Sequence, residues 1–157
     1  MQASLFDAAQ RDEFWSRLRT GEKMDCPCCG RYSQMYKRAL HYSVAVQLIE
    51  FHKMGGSDDF VSLRNMVRRW PTGIGDFTKA KYWELIMSKD HVPDAKKTSG
   101  LWMLTSKGTL FVLGLLSIPK YAIIFDDEVR GMTGEYVTIK DCLTDKFNYT
   151  DLMNNAG

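Results

Sequence analysis

Asp76–Phe111 reads DFTKAKYWELIMSKDHVPDAKKTSGLWMLTSKGTLF, and its three parts decide the fold. Asp76 to Lys89 carries Phe77, Ala80, Tyr82 or Trp83, Ile86 and Met87 at helical spacing. Asp90 to Gly100 is polar and holds Pro93, Asp94, Lys96, Lys97, Ser99 and Gly100, the composition of a hairpin tip. Leu101-Trp102-Met103-Leu104 is a short apolar strand, closed by Thr105-Ser106-Lys107-Gly108, where Thr105 is placed to cap a new helix running to about Leu115. Helix, basic hairpin, strand and capped helix is the sequence shape of a winged helix-turn-helix.

The residues upstream agree with it. Ser57 to Trp70 begins with a Ser-Asp cap and repeats Phe60, Leu63, Met66 or Val67 and Trp70 at helical spacing, with a strand over Asp59–Val67 as the weaker alternative. Trp70-Pro71 ends that segment, because the residue before proline disfavours the α region. Thr72-Gly73-Ile74-Gly75 supplies the turn, and Asp76 caps the next helix. Further back, 33–54 reads as the longest helix, capped by Ser33 and stopped by Gly55-Gly56. Residues 4–20 read as a short amphipathic helix that packs on the main domain or, alternatively, forms a dimer contact.

Between these helices stands Cys26-Pro27-Cys28-Cys29-Gly30. Cys26 and Cys29 have the spacing with which two sulfurs converge on one tetrahedral metal. Such a knuckle supplies two ligands, and no second pair stands at a matching interval. Structural zinc on Cys26 and Cys29, reduced metal-free thiols and a redox pair all stay open. Downstream of Pro119 the grammar changes. Tyr121–Phe125 and Tyr136–Lys140 are β-runs around the acidic stretch Asp126 to Gly134, and a short helix follows Asp141. The acidic stretch lacks calcium-loop spacing and reads as a solvated turn.

The expected class is therefore α+β. Residues 1–30 form an N-terminal helix and Cys-x-x-Cys loop, 31–118 the winged helix-turn-helix domain, and 119–157 a β-hairpin and C-terminal extension packed on it. Charge divides along the same lines. Residues 31–120 carry 14 Lys and Arg against 7 Asp and Glu, whereas 121–157 carry 3 against 7. A basic middle segment is where a nucleic-acid footprint belongs, against the plainer reading of a lysine-rich solvated surface. Thr78, Lys79 and Lys81 on the recognition helix, Lys96 and Lys97 on the wing, and Arg68 and Arg69 before the turn are the candidate DNA-binding residues. Arg, Asn and Gln, the usual readers of base edges, are scarce on that helix. No nucleophile-base order, phosphate loop or HExxH appears, so no enzyme is expected. No signal peptide or membrane span is seen, which points to the cytoplasm.

Two resemblances bear on function. Leu101–Gly108 resembles the strand-to-helix junction of MarR-type winged-helix proteins, where a Leu-Thr-x-Lys-Gly run follows the wing. A longer pattern is similar to small bacteriophage and prophage proteins: Cys26-Pro27-x-Cys29-Gly30-Arg31, Tyr36-Lys37-Arg38, Gly75-Asp76-Phe77, Tyr82-Trp83, Gly100-Leu101-Trp102 and Phe147-x-Tyr149. The resemblance implies a phage-type, cytoplasmic winged-helix protein and brings no settled activity; the helix-turn-helix order and the basic middle lead to the expectation of a protein that holds duplex DNA, with regulation as one role open to it. The alternative is a protein-interaction winged helix that inhibits a host defence or transcription complex. The C-terminus departs from the MarR pattern of long terminal helices, so MarR dimerisation and effector binding do not carry over.

Overall fold

The computed structural model describes residues 8–65, 74–89 and 100–154. The chain divides into two compact units. One comprises residues 1–38 and 122–132, the other 39–121 and 133–157. In chain order the elements are α1 (Ala8–Arg19), β1 (Met24–Asp25), β2 (Tyr32–Ser33), β3 (Tyr36–Ala39), α2 (Tyr42–Phe51), β4 (Val61–Ser62), α3 (Ile74–Phe77), β5 (Ile86–Ser88), β6 (Leu101–Leu104), α4 (Ser106–Val112), β7 (Ile118–Phe125), β8 (Glu128–Val137), α5 (Ile139–Leu143) and α6 (Tyr149–Asn154). The class is α+β with small antiparallel sheets.

In the first unit α1 buries Phe14 and Leu18, which cluster with Met35. Trp15 meets Phe125 edge to face, with ring centroids 5.0 Å apart. β1 and β2 pair antiparallel, Met24 opposite Ser33 and Asp25 opposite Tyr32. A further sheet has the order β3-β7-β8. Its hairpin turn is Asp126-Asp127, with φ of 53° and 60°. Two successive left-handed residues make a two-residue turn whose twist matches the strands it joins.

The second unit is built on α2, whose Val44–Phe51 run is buried throughout. Phe51 packs on Phe77, centroids 4.8 Å apart, and Trp83, Leu85, Leu104 and Phe111 fill the same core. The Trp83 indole N–H donates to the Pro119 carbonyl at 2.8 Å, so its one polar atom is satisfied inside the core. β4, β6 and β5 form a sheet in that order, with Val61 opposite Trp102 and Ile86 opposite Leu104. α5 begins with a capping box between Thr138 and Asp141.

The structure corrects several expected boundaries. The helix expected over 33–54 starts only at Tyr42 and ends in a wide π turn, His52–Gly56, with Gly55 at φ 91°. Tyr36–Ala39 is instead a strand, because its place in the sheet beside β7 overrides a helical pattern carried by few apolar positions. The segment 57–70 begins in a turn, passes through strand β4, and only then turns helical over 63–65. Lys89 does not close a long helix: α3 tightens into a 3₁₀ stretch, Thr78–Trp83, and stops where Glu84 takes a left-handed φ of 59°. Ile86–Ser88 is then a strand. The capped helix after β6 ends at Val112, three residues short of Leu115. Ile118-Pro119, expected to break the capped helix, instead starts β7 after that helix has ended, and the nine-residue acidic loop is the two-residue turn just described.

One junction holds α3, β5, β6 and α4 in place. Thr105 caps α4 by accepting from the Gly108 N–H at 3.0 Å, and its hydroxyl donates to the Glu84 carbonyl at 2.6 Å. Its N–H donates to the Leu85 carbonyl. A Cβ built on Gly108 would overlap that same carbonyl oxygen, so the two backbones touch. Gly108→Ala should therefore destabilise the protein by about 3 kcal/mol, the upper end for overpacking, or roughly 6–12 °C in Tm. Thr105→Ala should cost about 1 kcal/mol for the missing cap. Thermal unfolding by circular dichroism measures both, and a neutral Gly108→Ala would show that the contact does not hold the junction.

Candidate functional site

The 3₁₀ stretch after α3 has an inner and an outer face. Phe77, Ala80 and Trp83 are buried, three residues apart, as the three-residue turn requires. Thr78 and Lys79 are half-buried and Lys81 is exposed. Lys79 is not a free cation. Its Nζ sits 2.8 Å from Asp76 Oδ1, on the turn below it. Asp76 Oδ2 also accepts from Ser43 Oγ at 3.4 Å. The hydrogen bond from Lys79 comes first among the causes that hold the Asp76 carboxyl below the usual carboxylate range, with Ser43 and the neighbouring His41 adding to it. Lys81 extends over the Tyr82 ring, 5.3 Å from its centroid. The structure thus brings Thr78, Lys79 and Lys81 onto one short segment. The other four candidates, Arg68, Arg69, Lys96 and Lys97, lie outside the described residues. Lys37 and Arg38, expected in the first turns of a helix, are exposed on strand β3.

The cysteine loop has its own geometry, set by the hairpin beneath it. Beyond the β1-β2 pairs, the Cys26 N–H donates to the Arg31 carbonyl at 2.7 Å, and the Gly30 N–H returns to the Cys26 carbonyl at 2.8 Å. Gly30 makes that turn at φ 73°, a region only glycine enters freely. The turn aims backbone N–H groups of Cys29 and Cys28 at the Cys26 sulfur, and with the Cys29 side chain they hold its thiol below the ordinary cysteine range. Cys28 and Cys29 are exposed. Among the described residues no group of three or more His, Cys, Asp or Glu is gathered around one point.

A cleft of about 450 Å³ beside the knuckle joins Cys26 and Cys29 to Trp15, Tyr32, Tyr36 and Phe125. The Arg130 guanidinium lies over the Trp15 ring, 5.4 Å from its centroid. Periodicity could not reveal this groove, since its walls come from α1, the cysteine hairpin and β7. The fourth cysteine is unlike the other three. Cys142 is buried in the second unit, which pushes its thiol up to about 12. It stays protonated at neutral pH and is a poor nucleophile.

Comparison with protein-family models, with curated proteins and with solved structures returns no match to this chain.

The depressed Asp76 carboxyl makes a prediction about acid stability. A carboxyl whose folded pKa lies below its unfolded value stabilises the fold fully above about pH 4 and loses that contribution as pH falls through the folded value. Asp76→Asn should therefore lower Tm at neutral pH, by a modest amount because the pair is partly solvated, and the gap to the native protein should close toward pH 2. Melting curves across that range test it, and a gap that widens on acidification would remove the assignment.

Proposed function

We propose that this chain is a phage-type winged-helix protein that holds duplex DNA through the segment 74–83 and the adjoining β5-β6 hairpin. One observation carries the reading: the order helix α2, strand β4, helical turn, helix α3, strand β5, strand β6, with the first strand paired to the third rather than the second. That order supports a winged helix, in which the helix before the hairpin enters the major groove and the hairpin lies along the backbone. The outward residues of α3 and its 3₁₀ extension are Thr78, Lys79 and Lys81, and residues 31–120 have twice as many cations as anions. Two lysines and a threonine suit phosphate contact more than base readout, so affinity that depends little on sequence is the expected mode.

The second reading, a winged helix turned to a protein partner such as a host defence or transcription complex, draws on the Lys79-Asp76 pair. A cation already held by a carboxylate on the next turn is worth less to a phosphate.

The test is binding of fluorescent duplex DNA, followed by anisotropy over a range of salt concentrations. Affinity should fall steeply with salt, because each neutralised phosphate releases condensed counterions. The double variant Lys79→Ala/Lys81→Ala should weaken binding and reduce the slope of log K against log salt by up to about 2, roughly one for each phosphate that is no longer neutralised. Undetectable binding at low salt sinks the DNA reading, and a variant indistinguishable from the native chain removes the helix from it.

A further inference from the structure

We propose that the Cys26-Cys29 knuckle is half of a structural zinc site whose other half is the same knuckle of a second copy of this chain. The inference goes beyond DNA binding and does not rest on it. Zinc in structural sites takes four ligands in a tetrahedron, most often with sulfur among them. The knuckle is built to offer two. The Cys26 N–H donates to the Arg31 carbonyl and the Gly30 N–H returns to the Cys26 carbonyl, so Cys26 and Cys29 stand on one tight turn and line the same cleft.

The unit that carries the knuckle has no further soft donors. Within residues 1–38 and 122–132 the sequence contains Cys26, Cys28 and Cys29, no other cysteine and no histidine. Cys28 lies between the two ligands in the loop and does not line the cleft that Cys26 and Cys29 share. In the second unit, Cys142 is buried in the core, His52 Nδ1 is engaged with Ser57 Oγ at 2.5 Å, and His41 is exposed just before α2; His91 lies outside the described residues.

The hairpin tip, by contrast, is open. Pro27, Cys28 and Cys29 are all exposed, so a second tip can reach it. A tetrahedron has a two-fold axis, and two identical knuckles across such an axis supply two and two sulfurs with the self-complementary contact of a symmetric dimer. The adjoining surface suits that contact. Tyr32 is 62% exposed and Tyr36 46% exposed, and both line the cleft next to the sulfurs. Aromatic side chains of this kind are enriched where subunits meet.

Native mass spectrometry and sedimentation velocity on the full chain, with zinc as the added metal, test the proposal. The expected species is a dimer holding one zinc, about half an equivalent per chain, with four thiolates around it. A chelator should convert it to monomer, and added zinc should restore it. Cobalt in place of zinc should give the visible bands of a four-thiolate tetrahedral site. Cys26→Ser and Cys29→Ser should each abolish both metal and dimer, whereas Cys28→Ser should keep both. One zinc bound per monomer, a dimer indifferent to the chelator, loss of metal in Cys28→Ser, or no zinc bound at all would each overturn it. The chelator arm uses the native chain, so the proposal stays testable even if a cysteine variant fails to fold. A zinc-free monomer that binds duplex DNA overturns this inference while leaving the DNA reading in place.

Discussion

The contact between the Leu85 carbonyl and Gly108 is the constraint on which the second unit depends. A helix can approach a neighbouring backbone this closely only where it carries no side chain, and α4 does so one turn from its start. Thr105 then uses its hydroxyl twice, as acceptor for the Gly108 N–H and as donor to the Glu84 carbonyl. The left-handed Glu84 ends the 3₁₀ stretch and sends the chain into β5. Both arms of the β5-β6 hairpin therefore leave from one hydrogen-bonded corner, with Ile86 opposite Leu104 at its base. The outward placing of Thr78, Lys79 and Lys81 follows from the same corner, because it fixes which side of the preceding turns faces the core.

That corner was legible in the sequence, and much around it was not. Thr105-Ser106-Lys107-Gly108 carries its own capping chemistry, so a local reading finds it. The Cys-Pro-x-Cys-Gly loop is equally local, since its turn needs a glycine four residues after the first cysteine and has one. Failures came where a distant partner decides. Tyr36–Ala39 and Ile86–Ser88 fit helical spacing, yet strands elsewhere in the chain hydrogen-bond to them. Periodicity reports which side chains share a face, and it does not report which backbone groups already have partners. Trp70, Pro71 and the expected wing tip, 90–99, lie outside the described residues.

The candidate surfaces divide in the same way. Lysines on one short segment were readable from spacing. Their electrostatic state was not, because the Asp76 carboxylate that holds Lys79 is itself held by Ser43, thirty-three residues upstream. The aromatic cleft beside the knuckle was invisible for a similar reason. Trp15, Phe125 and Arg130 meet only once α1 and the β7-β8 hairpin are folded. What a sequence hides most effectively is the neutralising or covering partner that comes from far along the chain.

Two of the four indoles, Trp15 and Trp83, stand in contrasting surroundings, one in each unit. Trp83 is 1% exposed and hydrogen-bonded to a carbonyl in the core of the second unit, so its emission should lie to the blue and resist aqueous quenchers. Trp15 lies under a guanidinium in the first unit and is half-buried, so a soluble quencher should reach it more readily. With Trp70 and Trp102 replaced by phenylalanine, one emitter would remain in each unit, and light of different wavelengths could follow the two separately without attaching any dye.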